Sequence, residues 1–209
     1  MPARVAAAVS GGVDVVQVRD KDLPGQAVFS LTSTLRSVTE GRALLLVNER
    51  ADVAVAGGAD GVQLGEAAMS ADLVRRVVGE QAIVGRSVHS VEGALEAAAT
   101  SADFLLVGTM FATRSHPGEE PAGPGLLTRI RDAGVSLPLV AIGGIDTTNV
   151  ADVMGAGAWG AAVITSILAS DDPEAAAKGL KSAMLAAIGL QPDPEITGSV
   201  TEHATSNGR

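Results

Sequence analysis

The sequence predicts a parallel α/β fold, and three observations support this prediction. Short segments rich in Val, Ile and Leu alternate with helical patterns as far as about residue 188. The chain of 209 residues is 46% hydrophobic and contains 25 glycines, but it has only three Phe, one Trp and no Tyr. A core of small and β-branched side chains is typical of parallel sheets, and this length suits a single domain.

Seven segments are predicted to be buried strands, because each is short, apolar and bounded by turn-forming residues. They are residues 13–19, 43–48, 61–65, 82–88, 104–109, 137–144 and 160–165. Between them lie helical patterns, several with a Ser, Thr or Asp cap or a final Gly, such as residues 71–78, 92–99 and 149–154. A last helix is predicted over residues 173–188.

The alternation fits two architectures, a doubly wound open sheet and a closed (β/α)8 barrel, for which about 200 residues is the lower limit. A barrel needs eight strands, and the chain shows seven. Residues 3–10 already form the helix before the first predicted strand, so we expect that the barrel's first strand is missing from the start. Residues 1–188 are predicted to form this domain, and the polar residues 189–209 a disordered tail.

Composition excludes several classes of function. The chain carries 24 acidic and 15 basic side chains, and a net charge of −9 with few aromatic residues argues against nucleic-acid partners. No apolar run reaches the roughly 18 to 20 residues of a membrane helix and no signal peptide is evident, so we expect a cytoplasmic protein. The absence of Cys, and of His pairs at metal-ligand spacing, excludes thiol nucleophiles and predicts no His- or Cys-based metal site.

Polar side chains stand at the predicted strand ends, where both architectures bind ligands. Gln17, Arg19 and Lys21 are two residues apart, so a strand places them on one face, where two cations and an amide suit an anion. Solvated surface charge is the alternative for the two cations. Asn48 ends the second predicted strand. Parity lets only one residue of the Arg86–Ser87 pair face the barrel interior, and Ser87 is expected there.

The later strand ends predict a loop site and a phosphate site. The long loop over residues 108–118 is typical of a functional segment and carries Thr109, Thr113, Ser115 and His116. Paired Gly amides and a helix start after the last two strands form the usual phosphate site of barrels, here Gly143, Gly144, Ile164 and Thr165. A tight turn is the alternative role of the two glycines. His89 follows the fourth predicted strand, where a structural hydrogen bond competes with catalysis.

Four longer motifs cover these strand ends. They are Gln-Val-Arg-Asp-Lys at 17–21, Val-Asn-Glu-Arg-Ala-Asp at 47–52, Gly-Ala-Asp-Gly-Val-Gln-Leu-Gly at 58–65 and Ala-Ile-Gly-Gly-Ile at 141–145. Together they resemble the thiamine phosphate synthase superfamily, which also contains thiazole tautomerases of the TenI type, over residues 3 to about 185. The resemblance implies a (β/α)8 TIM barrel that begins with a strand and a role in thiamine biosynthesis.

For a synthase, the resemblance implies that Gln17, Arg19, Lys21 and Asn48 hold a pyrimidine and its diphosphate, and that carboxylates after the second and third strands bind Mg²⁺. Glu49 stands at the first of these carboxylate positions, where Asp is usual. The second position is Ala68, and the lysine of the synthase loop Thr-x-Thr-Lys is His116. Loss of one carboxylate is expected to weaken a magnesium site.

These departures resemble the tautomerase, which isomerises a carboxythiazole phosphate without a metal, as do Gly-Arg-Ser-Val-His-Ser at 85–90 and Val-Gln-Leu at 62–64. We therefore predict a thiazole tautomerase, an isomerase without a cofactor, with His116 as acid and base and His89 as second candidate. The tautomerase's own His follows the Gly at position 108, where this chain has Thr109. Backbone amides of residues 143, 144, 164 and 165 would hold the phosphate. The groups expected around the heterocycle are Gln17, Ser87, Thr109, Thr113 and Ser115.

Two alternatives remain at this point. One is thiamine phosphate synthase, a transferase that joins hydroxymethylpyrimidine diphosphate to thiazole phosphate with release of diphosphate and that uses Mg²⁺ at Glu49. The other is an inactive barrel that only binds phosphate. The expected partner is a small phosphorylated thiazole, alone or with the pyrimidine diphosphate, and the sequence is compatible with a homo-oligomer.

Overall fold

The computed structural model describes residues 1–20, 22–113 and 120–190, and within them seven strands alternate with nine helices. The strands are β1 (Val15–Val18), β2 (Leu44–Asn48), β3 (Gly61–Leu64), β4 (Ile83–Val88), β5 (Phe104–Val107), β6 (Leu139–Ile142) and β7 (Gly160–Ala162). The helices are α1 (Pro2–Ser10), α2 (Gly25–Thr39), α3 (Ala51–Ala56), α4 (Ala71–Val78), α5 (Val91–Ala98), α6 (Gly125–Asp132), α7 (Val150–Gly155), α8 (Thr165–Leu168) and α9 (Pro173–Ala187). All seven predicted strands are confirmed, although each is shorter than predicted. None of the helices described is long and apolar enough to cross a membrane.

The sheet is parallel, and its strands follow one another in the order of the chain, from β1 to β7. A doubly wound sheet reverses its strand order at a switch point, whereas a barrel does not. The order therefore confirms the (β/α)8 type of fold over the doubly wound alternative. Within the described part of the chain, no backbone ladder joins β7 to β1.

The two faces of the sheet have different roles. Leu45 and Val47 of β2 are fully buried in a cluster with side chains of α2 and α3. Leu105 and Val107 of β5 are fully buried in a second cluster with side chains of α6 and α7. Because side chains alternate along a strand, the residues between these apolar positions face the barrel interior. Polar side chains at the carboxyl ends of the strands therefore lie at one end of the barrel, which we call the mouth.

Candidate active site

The ends of β1 and β2 bring a cation and two amides to the mouth. Val16 and Val18 pack against the helices, so Gln17 and Arg19 lie on the interior face, and both are exposed. Asn48, half-buried at the end of β2, is on the same face and pairs in register with Gln63 of β3. Gln17 and Arg19 therefore share one face, as their spacing predicts, and the binding of an anion there stays a prediction. Lys21 lies outside the described residues.

Glu49 directs a carboxylate across the end of β3. Its backbone has φ 58°, a left-handed conformation that a non-glycine residue rarely adopts, and its N–H donates to the Gln63 carbonyl at 3.0 Å. The Glu49 Oε1 atom occupies the position next to Gly65 that a Cβ would take. Gly65 therefore leaves the space that the carboxylate fills. Ala68, three residues further on, is half-buried and carries no ligand atom in its side chain.

Ser87 faces the interior, as predicted, and Arg86 faces the helices. Ser87 Oγ accepts a hydrogen bond of 3.1 Å from Gln63 Nε2. The Arg86 guanidinium donates to the carbonyls of Glu66, Ala68 and Met69 at 2.8, 3.2 and 2.7 Å. Arg86 therefore fixes the loop that follows β3.

His89 lies at the rim of the mouth, where it pairs with a carboxylate. Its Nδ1 is 2.9 Å from Glu66 Oε2, and both side chains are about half exposed. Ser90, the next residue, caps α5 by accepting from the Gly93 N–H at 3.0 Å. The local geometry thus gives His89 the structural hydrogen bond that competes with a catalytic role. His116, the first candidate for the acid and base, lies outside the described residues, as does Ser115.

The loop after β5 packs on the two glycines after β6. Gly143 and Gly144 have φ values of 105° and 65°, and a Cβ on Gly143 would lie 2.6 Å from Thr109 Cγ2. The Phe111 N–H donates to the Gly143 carbonyl at 3.0 Å. The glycines are therefore required both for their backbone conformation and for this close approach. Thr109 and Thr113 are both half-buried in this loop.

The ends of β6 and β7 meet at a cavity beside the predicted phosphate site. Ser166 Oγ donates to the Ile145 carbonyl at 2.5 Å and joins α8 to the segment after Gly144. Ile164 and Thr165, the other two members of the predicted phosphate site, are exposed at the start of α8. The cavity has a volume of about 370 Å³ and is lined by Asp146, Thr147, Thr165, Ser166, Ala176 and Leu180. Hydrogen bonds from the Thr148 hydroxyl and N–H lower the pKa of Asp146.

Within the described residues, no group of three or more His, Cys, Asp or Glu side chains could hold a metal ion. A magnesium ion bound with a diphosphate needs fewer protein ligands, because one or two carboxylates suffice when phosphates and water complete the shell. Glu49 beside Gly65 supplies one such carboxylate. The residues present therefore fit a magnesium ion that is held jointly with a diphosphate.

Sequence reasoning did not assign a site role to Gln63, Glu66 or Arg86. Gln63 is only 3% exposed, although it is polar and lies on the interior face. Gln63 and Gly65 are two residues apart, so the strand places them on the same face. This spacing could have identified Gln63 as a residue of the interior face. The contacts of Glu66 and Arg86 join neighbouring strand ends, and no spacing along the chain reveals such pairs.

Comparisons with known proteins agree on one family. The family model described as thiamine monophosphate synthase matches residues 1–167. A thiamine-phosphate synthase of Methanoculleus marisnigri is 48% identical over 190 residues, covering 88% of this chain and 87% of that protein. One of Roseiflexus castenholzii is 44% identical over 178 residues, covering 84% and 78%. The solved thiamine phosphate pyrophosphorylase from Pyrococcus furiosus superposes with a TM-score of 0.82 at 35% identity, covering 90% of this chain and 91% of that one.

These relatives correct the predicted activity. The prediction of a thiazole tautomerase, and therefore of an isomerase, is wrong, because relatives at 44% and 48% identity are synthases, which are transferases. The departures from the synthase pattern at Ala68 and His116 carried that prediction, whereas Thr109 departs from the tautomerase pattern. Glu49 shows why they were misleading, since its carboxylate reaches over Gly65 without any contribution from residue 68.

Proposed function

The chain belongs to the thiamine monophosphate synthase family, and from this premise we propose that it joins a hydroxymethylpyrimidine diphosphate to a thiazole phosphate and releases diphosphate. The observation that carries this proposal is the placement of a cation and a carboxylate after neighbouring strands, at one mouth. Arg19 follows β1, and Glu49 follows β2, the neighbouring strand. A cation and a carboxylate that can hold Mg²⁺, at the ends of neighbouring strands, suit a diphosphate leaving group.

The pyrimidine diphosphate is assigned to the mouth over β1 to β4. Arg19, Lys21 and Asn48 are assigned to the diphosphate oxygens, and Glu49 would hold the magnesium ion. When bound, the ion neutralises charge that develops on the departing diphosphate. Gln17 and Ser87 face the heterocycle from the interior side of their strands.

The thiazole phosphate is assigned to the mouth over β5 to β7. Backbone amides at Gly143, Gly144, Ile164 and Thr165 hold its phosphate, and Thr109 and Thr113 lie around its ring. Ser115 is a further candidate, outside the described residues. The reaction breaks the bond between the pyrimidine methylene carbon and the diphosphate, and the electron pair leaves with the diphosphate. The thiazole then supplies the pair for the new bond. Binding both substrates at one mouth contributes to the rate by orientation.

The test is turnover of the two substrates with Mg²⁺, with product and released diphosphate measured separately. We expect equal amounts of both, no product in chelator, and a large loss of activity in Arg19→Ala. Arg42→Ala is the control, because Arg42 is exposed and bonds Ser10 outside the site. Substrate binding by calorimetry without turnover would instead support the inactive phosphate-binding barrel.

A further inference from the structure

We propose that Gln63 is a positioning residue that makes Ser87 a hydrogen-bond donor to the substrate. The proposal rests on the proposed function, because it concerns the floor of the same mouth. Ser87 Oγ and Gln63 Nε2 are 3.1 Å apart on the interior faces of neighbouring strands. A hydroxyl can donate or accept such a bond, so the direction must come from the other groups around it.

The Leu64 carbonyl fixes the orientation of the Gln63 amide. Gln63 Nε2 lies 3.2 Å from this carbonyl oxygen, which can only accept a hydrogen bond. The amide nitrogen, and not the amide oxygen, must therefore face Leu64. The second N–H of the same nitrogen then donates to Ser87 Oγ, so the serine is the acceptor of this pair.

Packing holds the Gln63 amide in this orientation. Gln63 is 3% exposed, so it does not exchange its partners with bulk water. Its Oε1 and the Phe104 ring fill the space that a Cβ on Gly85 would occupy. Gly85 is therefore the residue that admits the amide between β3 and β4.

The consequence concerns the single hydroxyl proton of Ser87. Because Ser87 Oγ accepts from Gln63, its O–H is free to donate to a second partner. Ser87 is half-buried near the carboxyl end of β4, where the proposed substrate binds. The floor of the mouth therefore selects a ligand that presents an acceptor there, either a ring nitrogen of the pyrimidine or a diphosphate oxygen.

The test reverses the polarity of the pair. In Gln63→Glu, the carboxylate accepts from Ser87 and turns its proton away from the ligand. We expect KM for the pyrimidine diphosphate to rise about tenfold with a smaller change in kcat, the effect of one lost hydrogen bond. Gln63→Met, which only frees the hydroxyl, is expected to have a smaller effect. Gln81→Glu makes the same chemical change at an exposed position and is expected to leave KM unchanged.

Three comparisons make the result decisive. In a Ser87→Ala background, Gln63→Glu is expected to change KM little further, and a tenfold rise in KM there would overturn the proposal. An unchanged KM in the single variant Gln63→Glu would overturn it as well. Calorimetric titration of wild type and Gln63→Glu measures the same loss as a change in Kd, so it tests the proposal even if the wild type gives no product and the proposed function fails. Inorganic diphosphate serves as a second probe that locates the hydrogen-bond acceptor on the ligand. If Gln63→Glu weakens the binding of both probes, the acceptor is a diphosphate oxygen. If it weakens only the binding of the pyrimidine diphosphate, the acceptor is on the ring.

Discussion

At the scale of single residues, the mouth depends on small groups that leave space for polar ones. Glu49 reaches its position through a left-handed backbone, and Gly65 leaves the volume that its carboxylate enters. Gly85 does the same for Gln63. In both pairs a glycine on a strand, or directly after it, leaves space for a polar side chain from the neighbouring strand or its end, so the glycines shape the mouth as much as the polar residues do.

Gly65→Ala is expected to displace the Glu49 carboxylate, because the added Cβ would occupy its position. A catalytic group shifted by about 1 Å costs on the order of 10²-fold in rate, and we expect a loss of this size together with weaker magnesium binding. Steady-state assays over a magnesium titration measure both. Gly179→Ala is the control, since that position has no neighbouring atom within 4 Å. Equal activity of Gly65→Ala and wild type would contradict the role of Glu49.

Asp52 is expected to make the stability depend on pH. Arg50 donates hydrogen bonds of 2.8 and 2.6 Å to its carboxylate, which lowers the pKa of Asp52 to about 2 from an unfolded value near 3.9. The pair therefore stabilises the fold above about pH 4, and this contribution is lost as the pH falls from about 4 to about 2. Because the Asp52 side chain is 66% exposed, we expect at most about 1 kcal/mol at pH 7.

The measurement is urea unfolding of wild type and Asp52→Asn at pH 7, 4 and 3. The difference in the free energy of unfolding is expected to shrink towards low pH. A difference that is constant over this range would show that the carboxylate charge is not its source.

At the scale of elements, an Asp before a strand ties it to the preceding strand and to a helix. Asp60 Oδ2, before β3, accepts from the Leu45 N–H and from Arg36, each within 2.8 Å. Asp103 Oδ2, before β5, accepts from the Val84 N–H and from Arg75 at 2.7 Å each. The same arrangement thus occurs twice, at the amino-terminal ends of the strands, away from the mouth.

Removal of Arg75 is expected to destabilise the fold strongly. The residue is only 8% exposed, and its side chain also donates a hydrogen bond of 2.8 Å to the Ser101 carbonyl. We expect Arg75→Met to lower the free energy of unfolding by about 3 kcal/mol, because the Asp103 carboxylate and the backbone carbonyls that Arg75 contacts lose a charged donor. Arg76→Met changes an exposed residue of the same helix and is expected to cost under about 0.5 kcal/mol. Chemical denaturation of both variants measures the difference, and equal losses would contradict the buried role of Arg75.

Trp159 occupies the corresponding place before β7. Its N–H donates to the Leu139 carbonyl at 2.8 Å, as the N–H groups of Asp60 and Asp103 do to Leu45 and Val84, but its side chain is 73% exposed. Trp159→Asp is expected to add a carboxylate acceptor for the Leu139 N–H and to raise the melting temperature by a few degrees. Trp159→Asn introduces a side chain of the size of Asp but without its charge, and we expect a smaller rise in melting temperature. A lower melting temperature of the Asp variant would refute the equivalence of the three positions.

The sequence predicted the elements better than the contacts between them. Strands such as β4 and β5 were found because buried apolar runs are local features, and the parity of Ser87 followed from the same local rule. The pairs Glu49 with Gly65 and Gln63 with Ser87 were not found, because they depend on register and on backbone conformation at strand ends. The wrong activity had the same origin. The prediction of a tautomerase counted carboxylates along the chain, whereas metal binding depends on which carboxylates reach the mouth.

At the scale of the whole molecule, the sheet is a sequence of paired strands with two outer members. Strands β2 to β6 have a neighbour on both sides, whereas β1 and β7 each have one in the described part of the chain. The outer strands are also the less buried ones. Val15 of β1 is 45% exposed, and each residue of β7 is half-buried, while all four residues of β3 are buried. Stability against local opening should therefore fall from the centre of the sheet to its outer strands.

Native-state hydrogen exchange is expected to show this gradient directly. Amides of β3 and β4 should exchange only through global unfolding, because each strand has a paired neighbour on both sides and buries apolar side chains against the helices. Amides of β1 and β7 should exchange faster, through local openings that break one ladder only, and their rates should respond less to low concentrations of denaturant. Mass spectrometry of peptides from the four strands separates the two classes. If β1 and β7 were protected as well as β3, a further backbone segment would have to pair with both outer strands in solution, and the protected peptides would identify it as part of this chain or of a second copy.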